Sequence, residues 1–245
     1  MSMERSRYLL DARKSLLDQS SVEIEWIVCV DGATEQDLST GLLEAVGASA
    51  EGLTVRLLHT AGRAVGASAA RNYALASATG SYVSSLDDDD ILPSDAFKNR
   101  LRQLEKDPEL HWAGGWLQDM NSQGGRTGIW YPPAPAQYYS AGSIFDHWAE
   151  PGATFPMNTA RLLMRTDSLR AVGGWQGLPT AEDFGMVIGL TGTHSGLIAD
   201  EVIYLYRKHA EQTMESVGFQ DIELSVRRAV WQRGEVLESR RFENR

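Results

Sequence analysis

Cysteine, long apolar runs and positive charge are all scarce in this chain. One cysteine, Cys29, in 245 residues excludes an intrachain disulfide and a cysteine-based zinc site. No apolar run approaches the ~18 residues that a membrane-spanning helix needs. The opening "MSMERSRYLLDARKSLLDQ" carries charges throughout, unlike a signal peptide, so a cytoplasmic protein is the expectation. Lysine and arginine number 23 against 33 acids, a formal net charge of −10, which argues against a nucleic-acid phosphate backbone as partner. An acidic chain still binds an anionic ligand where a metal ion or local arginines intervene. The stretch "AGRAVGAS" has neither G-x-G-x-x-G nor Gly-Lys-Ser/Thr, so it offers no phosphate-cradling loop. There is no internal repeat and no low-complexity linker. With 42% hydrophobic and 23% charged residues, the composition is that of an ordinary globular chain able to bury a full core.

What is present reads as alternating strands and helices. Leu9, Leu10, Leu16 and Leu17 recur at helical spacing in "RYLLDARKSLLDQ". "IEWIVCV" is a strand ending at Asp31-Gly32, followed by a polar helix around 35–47 and a second strand, "LTVRLLH". "AVGASAARNYALASA" reads as a helix closed by Gly80, and "SYVSSL" as a third strand ending at Asp87. A helix capped by Ser94 should run to the residues before Pro108. Residues 111–160, with Trp112, Trp116, Trp130 and Trp148 among Gly, Pro and Tyr, show no clear period. Then come a strand, a short helix and a glycine turn in "RLLMRTDSLRAVGGW", a helix in "TAEDFGMVIGLTG", a strand or strand pair in "LIADEVIYLYRKH", and a charged helical tail. This order predicts a three-layer α/β sandwich with a mostly parallel sheet. Ligands of such sheets bind beyond the carboxyl ends of the strands, where Asp31 and Asp87 both fall.

"SSLDDDDILP" concentrates four carboxylates at one strand end. On an extended segment Asp87 and Asp89 face one way, Asp88 and Asp90 the other. Neighbouring carboxylates repel unless a cation neutralises them, and a hard divalent ion with oxygen ligands is the simplest remedy. A solvated turn is the plainer alternative. An EF-hand loop is excluded by Ile91 at the third alternate position and by the missing glycine.

"YVSSLDDDDILPSDAF" resembles the strand, DxD motif and helix of the family 2 glycosyltransferases, whose fold is the Rossmann-like GT-A sandwich. "EWIVCVDGATEQD", "GASAARNYALASATGSYVSSLDDDD", "MRTDSLRAVGGWQGLPTAEDFGM" and "YLYRKHAEQTM" are similar to further motifs of that family, in its order, across roughly residues 5–215. The resemblance implies an inverting, metal-dependent transfer of sugar from a nucleotide-sugar, UDP-linked first and dTDP-linked second, to a glycan, lipid-linked or small-molecule acceptor. It implies that Asp31 bonds the base with Arg71 beside it, as a carboxylate accepts the imide N–H of uracil. Asp87 would lie near the ribose and Asp89 on Mn²⁺ or Mg²⁺; four consecutive aspartates let the register slip, so Asp88 stays a candidate. Glu182 and Asp183 match the Glu-Asp motif, with Asp183 as general base. His209 would be a metal or phosphate ligand and Arg207 a diphosphate contact. The bland readings are a turn-forming Asp31 before glycine and a capping box from Thr180 to Asp183. The tryptophan-rich middle could form a sugar-stacking wall or simply core. By the same likeness, 1–110 is the donor-binding half, 111–215 the acceptor-binding and catalytic half, and 216–245 a helical tail, with self-association left open.

One family part has no counterpart. The family's first strand, central in its sheet, should precede the helix that begins near Arg5, and its loss would leave backbone groups on two neighbours without partners. Either the native protein is longer, or another segment fills the place, or a gap is tolerated and donor binding is lost. Two rival functions follow: a glycosyltransferase-like scaffold that binds without catalysing, and a haloacid-dehalogenase-type phosphatase with Asp87 as nucleophile. The second leaves "AEDFGM" and "YRKH" without a role.

Overall fold

A computed structural model describes residues 3–20, 22–209 and 219–243. The first helix, α1 (Met3–Leu17), buries Tyr8, Leu9, Ala12 and Leu16, spacings that lie along one helical stripe. It is followed by β1 (Ile24–Val30), α2 (Thr40–Val46), β2 (Leu53–His59) and α3 (Ala67–Ser77). Strands β1 and β2 pair in parallel, from Ile24 opposite Leu53 to Val30 opposite His59, and form a sheet of their own. Trp26, Val28 and Val30 pack beneath Leu9 of α1 and Leu42, Ala45 and Val46 of α2. Glu25, on the other face of β1, accepts from the amide and hydroxyl of Thr79 beyond the end of α3.

The second sheet holds β3 (Tyr82–Val83), β4 (Trp112–Met120), β5 (Arg126–Trp130), β6 (Tyr138–Tyr139), β7 (Leu162–Arg165) and β8 (Gly196–Arg207). Its order is β3-β7-β4-β8-β6, with β5 also on β4. Side chains alternate between two cores: Trp112, Leu162, Met164 and Ile198 face α6 (Glu182–Thr193) and α7 (Phe219–Glu243), while Ala113, Leu163 and Leu197 face α4 (Lys98–Lys106). A short α5 (Thr166–Ala171) follows β7.

The α/β sandwich is as expected, but the sheet is only partly parallel. Within the second sheet β4 and β8 run parallel, and the other pairs are antiparallel. Residues 111–160, unreadable by period, contain the central strand β4. Buried on both faces, it shows no polar–apolar alternation. Gly115 is demanded by packing: a Cβ there would lie 2.7 Å from Ile203 Cγ1 and 2.8 Å from the Glu201 carbonyl. Three boundaries shift. The third strand stops at Val83 rather than Leu86. Helix α3 ends at Ser77, with Ala78 extended, so Gly80 does not cap it. Helix α4 starts at Lys98, because Asp95 adopts a left-handed φ of 60° that interrupts the turn after Ser94.

Candidate functional site

The acidic run sits where an extended segment leaves β3 and turns. The Asp90 amide donates to the Asp87 carbonyl, closing a turn that spoils strict alternation. Asp88 is exposed, whereas Asp90 is fully buried. Asp90 Oδ1 accepts from the Arg207 amide at 2.7 Å. Burial first, then the Asp87 charge, pushes the Asp90 carboxyl up to about 8 despite that amide. Below it, the Tyr204 hydroxyl accepts from the Asp87 amide at 3.2 Å.

Arg71 of α3 crosses to two carboxylates. Its Nη2 donates to Asp87 Oδ1 and its Nη1 to Glu182 Oε1, both at 2.9 Å. The next residue, Asn72, takes the backbone of Trp175 with both ends of its amide: Oδ1 accepts from the Trp175 N–H and Nδ2 donates to its carbonyl. One turn of α3 therefore fixes the acidic run and the glycine turn that leads into α6. Ala181, at a left-handed φ of 52°, delivers the chain into α6 without a side-chain cap. The expected capping box is not formed: among the described residues the buried Thr180 hydroxyl has no hydrogen-bond partner. Asp183 is instead a half-buried carboxyl in the first turn of α6. Desolvation first, then the neighbouring Glu182 charge, raises it to about 7, against the pull of Arg71.

On the far side, β8 supplies Arg207 and the chain beyond it His209. His209 Nε2 lies 2.8 Å from Asp89 Oδ2, and the His209 side chain is only 4% exposed. Arg207 Nε donates to the Asp89 carbonyl at 2.7 Å. Asp31, at the end of β1, is exposed, but its oxygens accept from the amides of Val65 and Gly66 and from the Thr60 hydroxyl. Those donors outweigh the burial that would raise its pKa and hold it below the usual carboxylate range.

Asp87, Asp89, Arg71, Glu182, Asp183, Arg207 and His209 thus form one connected constellation, and Asp31 stands on the loop at its edge. Residues 210–214 of the last motif lie outside the described residues. Trp112, Trp116 and Trp148 are core rather than a sugar-facing wall. Asn72 and Tyr204 escaped the reading of the sequence, although Asn72 adjoins Arg71 and Tyr204 belongs to the same Tyr-Leu-Tyr-Arg stretch as Arg207.

Among the described residues no group of three or more His, Cys, Asp or Glu is arranged around a metal position. A site of two protein ligands is nonetheless consistent with the Asp89–His209 pair. Neighbouring ligand atoms on an octahedral ion with bonds of about 2.0–2.1 Å lie roughly 3 Å apart, close to the separation found here. Magnesium-type sites commonly take one or two protein ligands and complete themselves with water and substrate phosphate.

Comparison with known proteins bears on the family and the fold. The family model described as Glycosyl transferase family 2 matches residues 3–168. The crystal structure of S. aureus TarS residues 1–349 shares 18% identity and a TM-score of 0.63, covering 84% of this chain and 58% of that one. The same TarS fragment in complex with UDP-GlcNAc gives a TM-score of 0.66 at 18% identity, covering 91% and 63%. Its complex with UDP gives 0.63 at 17%, covering 91% and 62%. The chain spans less than two thirds of each of these structures. Comparison with curated proteins finds no match.

Proposed function

The chain belongs to glycosyl transferase family 2, and from that premise we propose that it moves a sugar from a nucleotide-sugar to an acceptor hydroxyl with inversion. The observation that carries this reading is Asp183: a half-buried carboxyl whose pKa desolvation raises to about 7, beside the Glu182–Arg71–Asp87 chain. A general base works best with its pKa near the working pH. Asp183 takes the acceptor proton as the hydroxyl attacks the anomeric carbon, and no covalent intermediate with the protein is needed. Glu182, paired with Arg71, keeps that corner negative and ordered. Asp31, ionised and fixed by loop amides, offers remaining lone pairs to a uracil imide. Asp87 lies on the ribose side, with Asp88 as the outer carboxylate.

Asp89 and His209 would hold Mn²⁺ or Mg²⁺, which when bound supplies charge neutralisation for the departing diphosphate. Arg207 is buried, and its Nε, Nη1 and Nη2 donate to Asp89, Ser122 and Asp11, so its role is support of Asp89 rather than the diphosphate contact first expected. UDP donors come first because the fold's solved examples include complexes with UDP-GlcNAc and UDP. The acceptor is a glycan, a lipid-linked sugar or a small molecule.

Calorimetric titration of UDP and UDP-sugars, with and without Mn²⁺, tests the reading. Metal-dependent binding is expected, and Asp89→Asn should abolish it. The separate β1–β2 sheet favours one second reading, a binding scaffold without transfer. Absence of nucleotide binding, with dTDP compounds included, would favour that scaffold.

A further inference from the structure

The surroundings of Arg207 and His209 contain a residue with no role so far. Tyr8, in α1, is 1% exposed and sits against both. The Arg207 guanidinium carbon lies 4.4 Å from the Tyr8 ring centroid. The His209 ring lies 5.1 Å from it, tilted by 45°. One helical turn on, Asp11 Oδ2 accepts from Arg207 Nη2 at 2.9 Å. Tyr8 and Asp11 stand three residues apart and so share a face of α1.

The contacts continue to the acidic run. Arg207, itself 1% exposed, grips the Asp89 carbonyl through Nε and the Ser122 carbonyl through Nη1. His209 meets the Asp89 side chain. Both the backbone and the carboxylate of Asp89 are therefore held by residues that α1 holds in turn. A buried guanidinium needs a compensating charge, and Asp11 supplies it. A guanidinium over a ring face gains further from the ring's quadrupole.

We propose that Tyr8 and Asp11 are positioning residues for the cation and diphosphate corner: they fix Arg207 and His209, and through them Asp89. This builds on the reading that Asp89 and His209 hold the cation. Asp89 Oδ2 and His209 Nε2, now in mutual contact, would both hold the cation, with Nε2 in its unprotonated form. The Tyr8 ring packs against the imidazole ring, with centroids 5.1 Å apart, and so holds the histidine from the side of α1.

The test uses the full chain as Tyr8→Leu, Tyr8→Phe and Asp11→Asn. Mn²⁺ binding in the presence of UDP is followed by the electron paramagnetic resonance of the free ion. Tyr8→Leu and Asp11→Asn should weaken it by about 10–100-fold, the usual effect of removing support behind a ligand. Tyr8→Phe, which keeps the ring, should restore parental affinity. The His209 imidazole proton signals, shifted by the ring, should move in Tyr8→Leu and stay in Tyr8→Phe, with or without metal. Tyr8→Leu removes a buried ring and could unfold; Asp11 is 41% exposed and Asp11→Asn keeps an oxygen for Arg207 Nη2, so this variant, shown folded by its melting curve, decides. Folded variants with parental Mn²⁺ affinity would overturn the proposal alone. A parent chain that binds no Mn²⁺ with UDP would overturn the cation reading, and this proposal with it.

Discussion

Asp183 is pulled in two directions by its place in the fold. Burial opposes its charge, whereas base catalysis requires that charge. Its folded pKa, about 7, lies above the unfolded value of a free aspartate. Between roughly pH 4 and pH 7 the native chain holds a proton that the unfolded chain has released, so stability falls as pH rises through that window. Asp183→Asn should therefore melt above the parent at pH 8, and the gap should close near pH 4. A chain of this size moves by about 2–4 °C per kcal/mol, enough to read in a melting curve. The same variant should bind donor and stop transfer, and in the parent the transfer rate should climb to a plateau above about pH 7. Equal melting at both pH values, or parental transfer by Asp183→Asn, would overturn the assignment. At this scale Asp31, Arg71, Asp87 and Glu182 stood out as candidates because each belongs to a short local motif. Tyr8, Asn72 and Tyr204 did not. Their partners lie 103 to 201 positions away, as with Asn72 and Trp175, and nothing in their own neighbourhood announces a pairing.

Helices α6 and α7 show how an element far along the chain holds the corner around Asp183. Arg233 Nη1 donates to the Gly185 carbonyl at 2.8 Å, within the first turn of α6. Phe184, next to Asp183, stacks on Phe155 with centroids 4.0 Å apart, and Arg227 covers it at 5.2 Å. Close approach between strands is as strict. A Cβ on Gly196 of β8 would overlap the Trp112 indole of β4. Gly196→Ala should lower unfolding free energy by about 1–3 kcal/mol, the range of forced overpacking, as read by urea denaturation. An unchanged midpoint would mean that the indole moves aside freely. Helix α1 was readable from period, and β1 and β2 as strand-like runs between turns; α6, buried from Gly185 to Thr191, has no periodic face. Strand β4 was hidden because glycines and two-sided burial erase the alternation that marks a strand.

The described residues form two sheets joined through helices instead of one continuous ladder. Helix α1 reaches α2 through Arg13, which donates to the carbonyls of Val46 and Ala48, and reaches the second sheet through Asp11 and Arg207. Helix α3 packs on β1 and sends Arg71 to Asp87. All seven residues of β1 are only half-buried, although the run is mostly apolar, while β4 is almost wholly buried. Amide hydrogen exchange should accordingly be faster in β1 than in β4, because exchange follows local opening. Equal protection would show that the two sheets open as one. The overall α/β class was visible in the order of elements. The division between sheets depends on which edges pair, and that information is spread over the whole chain.

That division would give a bound nucleotide-sugar a second office. Asp31 stands on one side of the seam, and Asp89 with His209 on the other. A nucleotide diphosphate touching both would act as a rivet, and its presence should change the form of melting as well as its temperature. Without it, the β1–β2 flank should loosen ahead of the rest; with it, calorimetry should record a single sharper event.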